Sequence, residues 1–142
     1  MELRPATPKD IPAIIALDPL ASTASRAEFI QRSVHSANCL LAIEASEVVA
    51  YGVLDYTFFG QGYISMLYVH PSHRRRGIGT ELMRRLEAAC TTEKLFTSTN
   101  RSNEPMQALL PNLGYVSSGT VENLDEGDPE LIYFKRVRPQ SA

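Results

Sequence analysis

Cysteine is scarce in this sequence and tryptophan is absent. The 142 residues include two cysteines, Cys39 and Cys90, which lie far apart and have no histidine nearby at a metal-ligand spacing. This pattern excludes a disulfide framework and a cysteine-based metal centre. We therefore predict two reduced thiols in the core and no metal cofactor.

Long hydrophobic runs are also missing. No apolar stretch approaches the roughly 20 residues that a helix needs to span a bilayer. The first five residues, Met1 to Pro5, already include Glu2 and Arg4, which is unlike a secretory signal. We expect a cytoplasmic protein without a membrane partner.

The chain has no large excess of charge of either sign. Fourteen Lys and Arg residues nearly balance sixteen Asp and Glu residues, for a formal net charge of -2. Such a balance gives no broad electrostatic surface for DNA or RNA, so we predict no nucleic-acid partner. The length is that of one ordinary domain, which we place at residues 1–138, followed by a frayed tail at 139–142.

Hydrophobic periodicity divides the chain into alternating strands and helices. Strands are predicted at residues 2–6, 39–44, 48–56, 63–70, 94–99, 115–121 and 131–137. Helices are predicted at residues 8–17, 23–36, 77–92 and 103–113. On the helix at 77–92, the period places Ala89 on the core face and Glu87 on the solvent face. This order predicts an α+β domain with a mixed, mostly antiparallel sheet of about seven strands and about four helices.

The chain is organised around residues 67–80, where an apolar strand runs through a turn into an amphipathic helix. Gly77 and Gly79 have no Cβ, so the backbone there can approach a bulky anion closely. The helix start adds unpaired N–H groups and about half a positive charge. Arg74, Arg75 and Arg76 add guanidinium groups that match phosphate oxygens in geometry. The segment predicts a phosphate site.

This segment has other interpretations. A dinucleotide fingerprint needs a third glycine and a phosphate-loop NTPase needs Gly-Lys-Ser/Thr, and neither follows Gly79. A solvated basic turn at the start of an ordinary helix remains an alternative. A nucleotide or nucleic-acid binder that uses the three arginines is a further rival, which salt-dependent oligonucleotide binding would support.

The run Val69-His70-Pro71-x-x-Arg74-x-x-Gly77-Ile78-Gly79 resembles the acyl-CoA motif of the GNAT superfamily of N-acyltransferases. That motif is Arg or Gln, two residues, Gly, one residue, then Gly or Ala. The resemblance implies that the CoA pyrophosphate lies on the backbone N–H groups of residues 75–80. It also implies that the pantetheine arm pairs as an added strand with residues 67–69, where the sheet is splayed.

A second signature of that family is an Asn that opens a helix ending in Leu-Gly-aromatic. Asn103 and the run Leu113-Gly114-Tyr115 resemble it, which implies that Asn103 contacts the CoA arm, although it also suits a plain helix cap. The predicted cofactor-binding residues are Leu67, Tyr68, Val69, Arg74, Arg75, Arg76, Gly77, Ile78, Gly79, Thr80 and Asn103.

The catalytic residues are left unassigned. Many members of the family carry a Tyr acid four residues before the helix-ending Gly, but this position is Leu110 here. The leaving thiolate would then take its proton from another hydroxyl, that of Tyr115, Tyr68 or Tyr133. The alternative is that the thiolate leaves unaided. Candidate bases for the amine are Glu44, Asp55, Glu122 and Asp125.

The resemblance implies an N-acetyltransferase that uses acetyl-CoA. The acceptor would be a primary amine of a small molecule or a peptide. Asp125 and Glu126, in the acidic loop at residues 122–130, are the predicted contacts of a cationic acceptor. The rival hypothesis is a non-catalytic module that binds or senses acyl-CoA, and a homodimer is left open.

Overall fold

The protein is described from a computed structural model, which covers residues 1–138. The predicted frayed tail, residues 139–142, lies outside the described residues. Within residues 1–138, seven strands and four α-helices form in the predicted order, so the predicted mixed architecture is confirmed. Their bounds are β1 Glu2–Pro5, α1 Ile11–Leu17, α2 Ala24–His35, β2 Cys39–Glu44, β3 Glu47–Phe58, β4 Gln61–Val69, α3 Ile78–Ala89, β5 Lys94–Asn100, α4 Glu104–Asn112, β6 Val116–Val121 and β7 Glu130–Arg136.

The strands form a seven-stranded sheet in the order β1-β2-β3-β4-β5-β7-β6. The β1/β2, β2/β3, β5/β7 and β6/β7 pairs are antiparallel, whereas β4 and β5 are parallel. The parallel ladder is short. Its last pair is Ile64 opposite Thr97, although β4 continues to Val69 and β5 to Asn100. Beyond that pair, both strands extend without pairing to each other.

Helix boundaries follow the chemistry of the flanking residues. Thr23 caps α2 by accepting a hydrogen bond from the Arg26 N–H, and α1 ends before the Asp18-Pro19 pair. The first predicted helix is shorter than expected, because Pro8–Asp10 forms a separate 3₁₀ turn before α1. Asp10 nevertheless accepts the predicted hydrogen bond from the Thr7 N–H, at 2.8 Å.

The chain divides into two compact units, and the first comprises residues 1–54 and 66–86. Its core packs apolar residues of α1, α2, β2 and β3, among which Ile14, Leu41 and Tyr51 are fully buried. Asp18 is buried here and accepts hydrogen bonds from the Tyr51 hydroxyl and from Arg26, both at 2.6 Å. Burial and the Asp18 carboxylate raise the pKa of Tyr51. The helix-stopping residue is therefore also the polar centre of this core.

The second unit comprises residues 55–65 and the described residues from 87 onward. Its buried apolar residues include Ile64, Cys90, Leu95, Leu110, Leu113, Tyr115 and Ile132, and its buried polar residues include Thr97 and Thr99. Glu87 was predicted to face water, and this was wrong. It accepts hydrogen bonds from the Tyr115 hydroxyl at 2.8 Å and from Lys135 at 3.0 Å, and only 12% of its side chain is exposed. Ala89 was predicted to face the core and is exposed.

Both cysteines are buried free thiols, as predicted. Burial raises the pKa of Cys39 to about 12, which keeps this thiol protonated and unreactive. Within residues 1–138, every helix is too short or too polar to cross a membrane. The prediction of a single domain over residues 1–138 stays a prediction.

Candidate functional site

The strand-to-helix segment predicted as the phosphate site lies in the first unit. β4 ends at Val69, a 3₁₀ turn covers Pro71–His73, and α3 begins at Ile78. The His70 N–H donates to the Val49 carbonyl at 2.8 Å, which anchors the end of β4. Arg74 folds back on the same strand. Its Nε donates to the Val69 carbonyl at 2.9 Å, and its guanidinium lies 5.7 Å from the centre of the Tyr68 ring.

The backbone of this loop takes an unusual conformation at two positions. Arg75 has φ of 63° and Gly77 has φ of 81°, both in the left-handed region. This conformation costs a non-glycine residue about 1–3 kcal/mol, and such strain is concentrated at functional sites. A Cβ added to Gly77 would meet no atom within 4 Å, so the backbone angle and not packing requires glycine there.

The start of α3 leaves backbone N–H groups available. Gly77 precedes the helix and has no side chain to act as a cap, and the first helical bond runs from the Glu81 N–H to the Gly77 carbonyl at 3.0 Å. The N–H groups of Ile78, Gly79 and Thr80 therefore have no partner within the helix. Together with the helix dipole, they form a site suited to an anion.

The side chains of Arg74, Arg75 and Arg76 are all exposed around this helix start. Arg76 lies 3.4 Å from Glu44, and His73 lies 3.6 Å from the same carboxylate. Glu44 was a candidate base for the amine. In the structure it is a counter-ion of the basic loop, residues 70–77, where it competes with any anion for Arg76. Its role as a base stays a prediction.

Asn103 lies in the second unit and caps α4. Its side-chain oxygen accepts a hydrogen bond from the Met106 N–H at 3.3 Å. The capping role, which was the alternative to a cofactor contact, is therefore present. The predicted contact between Asn103 and the CoA arm stays a prediction.

Leu110, at the position of the family's tyrosine acid, is completely buried on α4. Tyr115, one of the proposed replacements, is also buried, and its hydroxyl proton is donated to Glu87. Burial and the Glu87 carboxylate raise the pKa of Tyr115, so its hydroxyl is a weaker proton donor than that of an ordinary tyrosine. Tyr68 and Tyr133 are half-buried and remain candidates.

The acidic loop is anchored by its own carboxylates. Asp125 accepts a hydrogen bond from the Asn100 amide at 2.9 Å, and Asp128 accepts two from Ser102 at 2.9 and 2.6 Å. The Ser102 bonds lower the pKa of Asp128. Glu122 and Glu126 are exposed. The role of Asp125 and Glu126 in binding the acceptor stays a prediction.

A polar cluster in the second unit was missed by the sequence analysis. The Tyr63 hydroxyl lies 2.7 Å from the Ser98 hydroxyl, which donates to Glu130 at 2.6 Å. Asp55, a predicted candidate base, lies on β3 and accepts a hydrogen bond from Ser65 at 2.8 Å. No local pattern marks Tyr63, Ser98 and Glu130, because they meet only through the pairing of β4 with β5 and of β5 with β7.

The chain was compared with protein families. Residues 10–115 match the model described as the acetyltransferase (GNAT) family. This match includes β4, the basic loop and α3, and it ends at Tyr115, just after α4.

Solved structures and curated proteins were also compared. An acetyltransferase of the GNAT family from Bacillus cereus is 34% identical with a TM-score of 0.88, covering 95% of this chain and 96% of that one. An aminoglycoside 6'-N-acetyltransferase complexed with coenzyme A has the same fold, at 17% identity and a TM-score of 0.82, with both chains fully covered. N-alpha-acetyltransferase 30 of Xenopus laevis is 33% identical over 87 residues, or 55% of this chain. The chain spans 31% of the length of that curated relative.

Proposed function

Because the chain belongs to the acetyltransferase (GNAT) family, we propose that it transfers an acetyl group from acetyl-CoA to a primary amine. The observation that carries this proposal is the start of α3. Gly77 leaves the first helical N–H groups without a cap, and three exposed arginines surround them. A pyrophosphate supplies the negative charge and the acceptor oxygens that these groups lack.

In this proposal CoA lies along the first unit. The N–H groups of residues 75–80 hold its pyrophosphate, and the arginine side chains add charge. The pantetheine arm pairs with Leu67, Tyr68 and Val69, which belong to the part of β4 beyond its last pair with β5. Backbone N–H groups of this segment then hold the thioester oxygen as it becomes negative. Acetyl-CoA supplies the activated acyl group when it is bound.

The acceptor is an amine of a small molecule or a peptide. Two similar proteins support this range, since one is an aminoglycoside N-acetyltransferase and the other an N-alpha-acetyltransferase. The protein uses no metal in this proposal. The thiolate takes a proton from Tyr68 or Tyr133, or it leaves unaided. Unaided departure is feasible because a thiol with a pKa near 8.5 is a tolerable leaving group.

Two measurements on the full chain test the proposal. Calorimetry compares CoA with pantetheine, which lacks the pyrophosphate. We expect micromolar binding of CoA and binding of pantetheine at least about tenfold weaker, since each tenfold corresponds to about 1.4 kcal/mol. Thiol release from acetyl-CoA is then followed over a panel of amines that includes a polyamine, an aminoglycoside and short peptides.

The outcomes separate the hypotheses. Amine-dependent thiol release supports the transferase. Binding of CoA without turnover for any amine favours a non-catalytic acyl-CoA-binding module. Absence of binding by CoA and by acetyl-CoA to folded protein would rule out both functions.

A further inference from the structure

A hydrogen-bonded chain connects Tyr63 on β4, Ser98 on β5 and Glu130 on β7. Its direction follows from the donors available. The Glu130 carboxylate only accepts, so the single proton of the Ser98 hydroxyl is donated to it at 2.6 Å. The Ser98 oxygen must then accept the proton of Tyr63 across the 2.7 Å contact. The Tyr63 oxygen keeps its own lone pairs for a further donor.

This hydrogen-bonded chain of three side chains lies where β4 and β5 stop pairing. Tyr63 pairs with Phe96, Ile64 forms the last pair with Thr97, and Ser98 follows directly. Glu130 is the first residue of β7, opposite Asn100. The hydroxyl groups of Tyr63 and Ser98 therefore meet at the end of this ladder, on neighbouring strands.

Aromatic rings flank the Tyr63 side of this chain. Phe58 stacks on Tyr63 with centroids 5.3 Å apart, Phe58 lies 4.9 Å from Phe96, and Phe96 lies 5.7 Å from Phe134. Burial raises the pKa of Tyr63, and the charges of Glu130 on β7 and Asp55 on β3 also raise it, against the opposing effect of Ser98. Tyr63 is therefore a neutral phenol at neutral pH.

We propose that Tyr63 takes the proton of the acceptor's ammonium group and passes it through Ser98 to Glu130. This inference rests on the proposed acetyl transfer. Tyr63 contacts the substrate and is the catalytic residue, whereas Ser98 and Glu130 are positioning residues that act through it. Asp55 is not part of this hydrogen-bonded chain. Its carboxylate oxygens accept hydrogen bonds from Thr57 and Ser65.

The step balances as follows. The ammonium proton moves to the Tyr63 oxygen, the phenol proton moves to Ser98, and the Ser98 proton moves to Glu130, which becomes neutral. The freed nitrogen lone pair attacks the thioester carbonyl carbon, the C–N bond forms, and the C–S bond breaks with its electron pair on sulfur. The second nitrogen proton passes to the thiolate, directly or through Tyr68 or Tyr133, and Glu130 releases its proton to solvent. The products are the acetylated amine, CoA thiol and one proton.

Four variants test the inference with an amine that the wild-type protein acetylates. Tyr63→Phe keeps the stacked ring and removes the hydroxyl, Ser98→Ala interrupts the chain, and Glu130→Gln keeps an acceptor oxygen but cannot take the proton. We expect each to lower kcat/KM at pH 7 by about a hundredfold, the scale of general-base catalysis. Asp55→Asn tests the rival candidate base, and it should lose less than about fivefold if Tyr63 is the base.

The pH profile distinguishes proton transfer from a structural role. Without Glu130 as acceptor, only amine that is already neutral reacts. We therefore expect kcat/KM of Glu130→Gln to rise about tenfold per pH unit towards the amine pKa, near 10.4 for an alkylamine, and its deficit to shrink. The double variant Tyr63→Phe with Glu130→Gln should lose little more than either single variant, because the residues act as one unit.

Calorimetry with CoA and thermal unfolding accompany each variant, and CoA affinity and Tm should remain close to wild type. If the wild type acetylates amines but Tyr63→Phe, Ser98→Ala and Glu130→Gln keep kcat/KM within about twofold, the proton relay through Tyr63 is wrong and the proposed function stands. A large loss confined to Asp55→Asn would assign the base to Asp55 and overturn the proposal. If the wild type acetylates no amine, the proposed function fails and the relay fails with it.

Discussion

Helices α3 and α4 both follow a strand of the sheet, and both begin with N–H groups that have no partner inside the helix. In α4 the protein supplies the missing acceptor, because Asn103 caps the Met106 N–H and the preceding Ser102 is bonded to Asp128. In α3 the preceding residue is Gly77, which has no side chain, and the loop before it is strained at Arg75.

The difference indicates how the two helix starts are used. A helix start that is closed by its own side chains gains stability from them, typically about 1 kcal/mol per cap. A helix start without a side-chain acceptor gains no such stability until an anion binds to its N–H groups. We infer that the start of α4 is structural and that the start of α3 is kept free for a phosphorylated ligand.

The largest expected effect comes from filling the start of α3. Gly79→Val places a branched side chain beside the free N–H groups, and overpacking of this kind costs about 1–3 kcal/mol, or about 5- to 150-fold in CoA affinity. Gly79→Ala is the control, because the family motif accepts alanine at this position. Calorimetry measures both. Equal affinity of folded Gly79→Val and wild type would contradict the assigned anion site.

On α4 the expected effect is on stability. Leu110 is completely buried, so Leu110→Tyr should overpack the helix and lower the free energy of unfolding by about 1–3 kcal/mol. Tyrosine at this position should therefore fail to speed turnover, even where thiolate departure limits the rate. Chemical denaturation and thiol release measure the two quantities. Faster turnover at unchanged stability would show that the position opens to the reacting groups.

Removing the cap of α4 should have a smaller effect. Asn103→Ala should lower the free energy of unfolding by about 1 kcal/mol, and Asn103→Asp should restore it because Asp caps equally well. If the role of Asn103 is only structural, Asn103→Asp keeps CoA affinity within about twofold. A larger loss in both variants would reveal the amide contact with CoA that the family resemblance implies.

The smallest effect concerns the counter-ion of the basic loop. Glu44→Gln removes the partly exposed carboxylate that contacts Arg76 and His73. An exposed ion pair of this kind is worth about 0.2–1 kcal/mol. CoA affinity at low salt should rise about two- to fivefold, and the gain should fade as salt screens the charges. Glu47→Gln, an exposed change of equal charge on the next strand, is the control. An equal gain in both variants would mean that only net charge matters.

Much of the fold could be predicted because its signals are local. Residues within a few positions of each other set the apolar run of β4, the stripe of Ile78, Leu82 and Leu86 on α3, and the caps Thr23 and Asn103. The glycine-containing start of α3 could be predicted for the same reason, since Gly77 and the three arginines are contiguous. The errors at Glu87 and Ala89 have a different cause. Glu87 is bonded to Tyr115 and Lys135, and periodicity alone does not reveal what packs against a helix.

The amino-acid sequence by itself determined the order of elements, the glycine-containing helix start and the family signature, because propensity, capping and backbone freedom act over one or two turns. Only the tertiary structure decided the partners of Glu44, Glu87 and Glu130. Glu130 meets Ser98 and Tyr63 through strand pairings that connect residues 32 and 35 positions apart. Such pairings depend on the register and order of strands in the sheet, which short-range interactions do not specify.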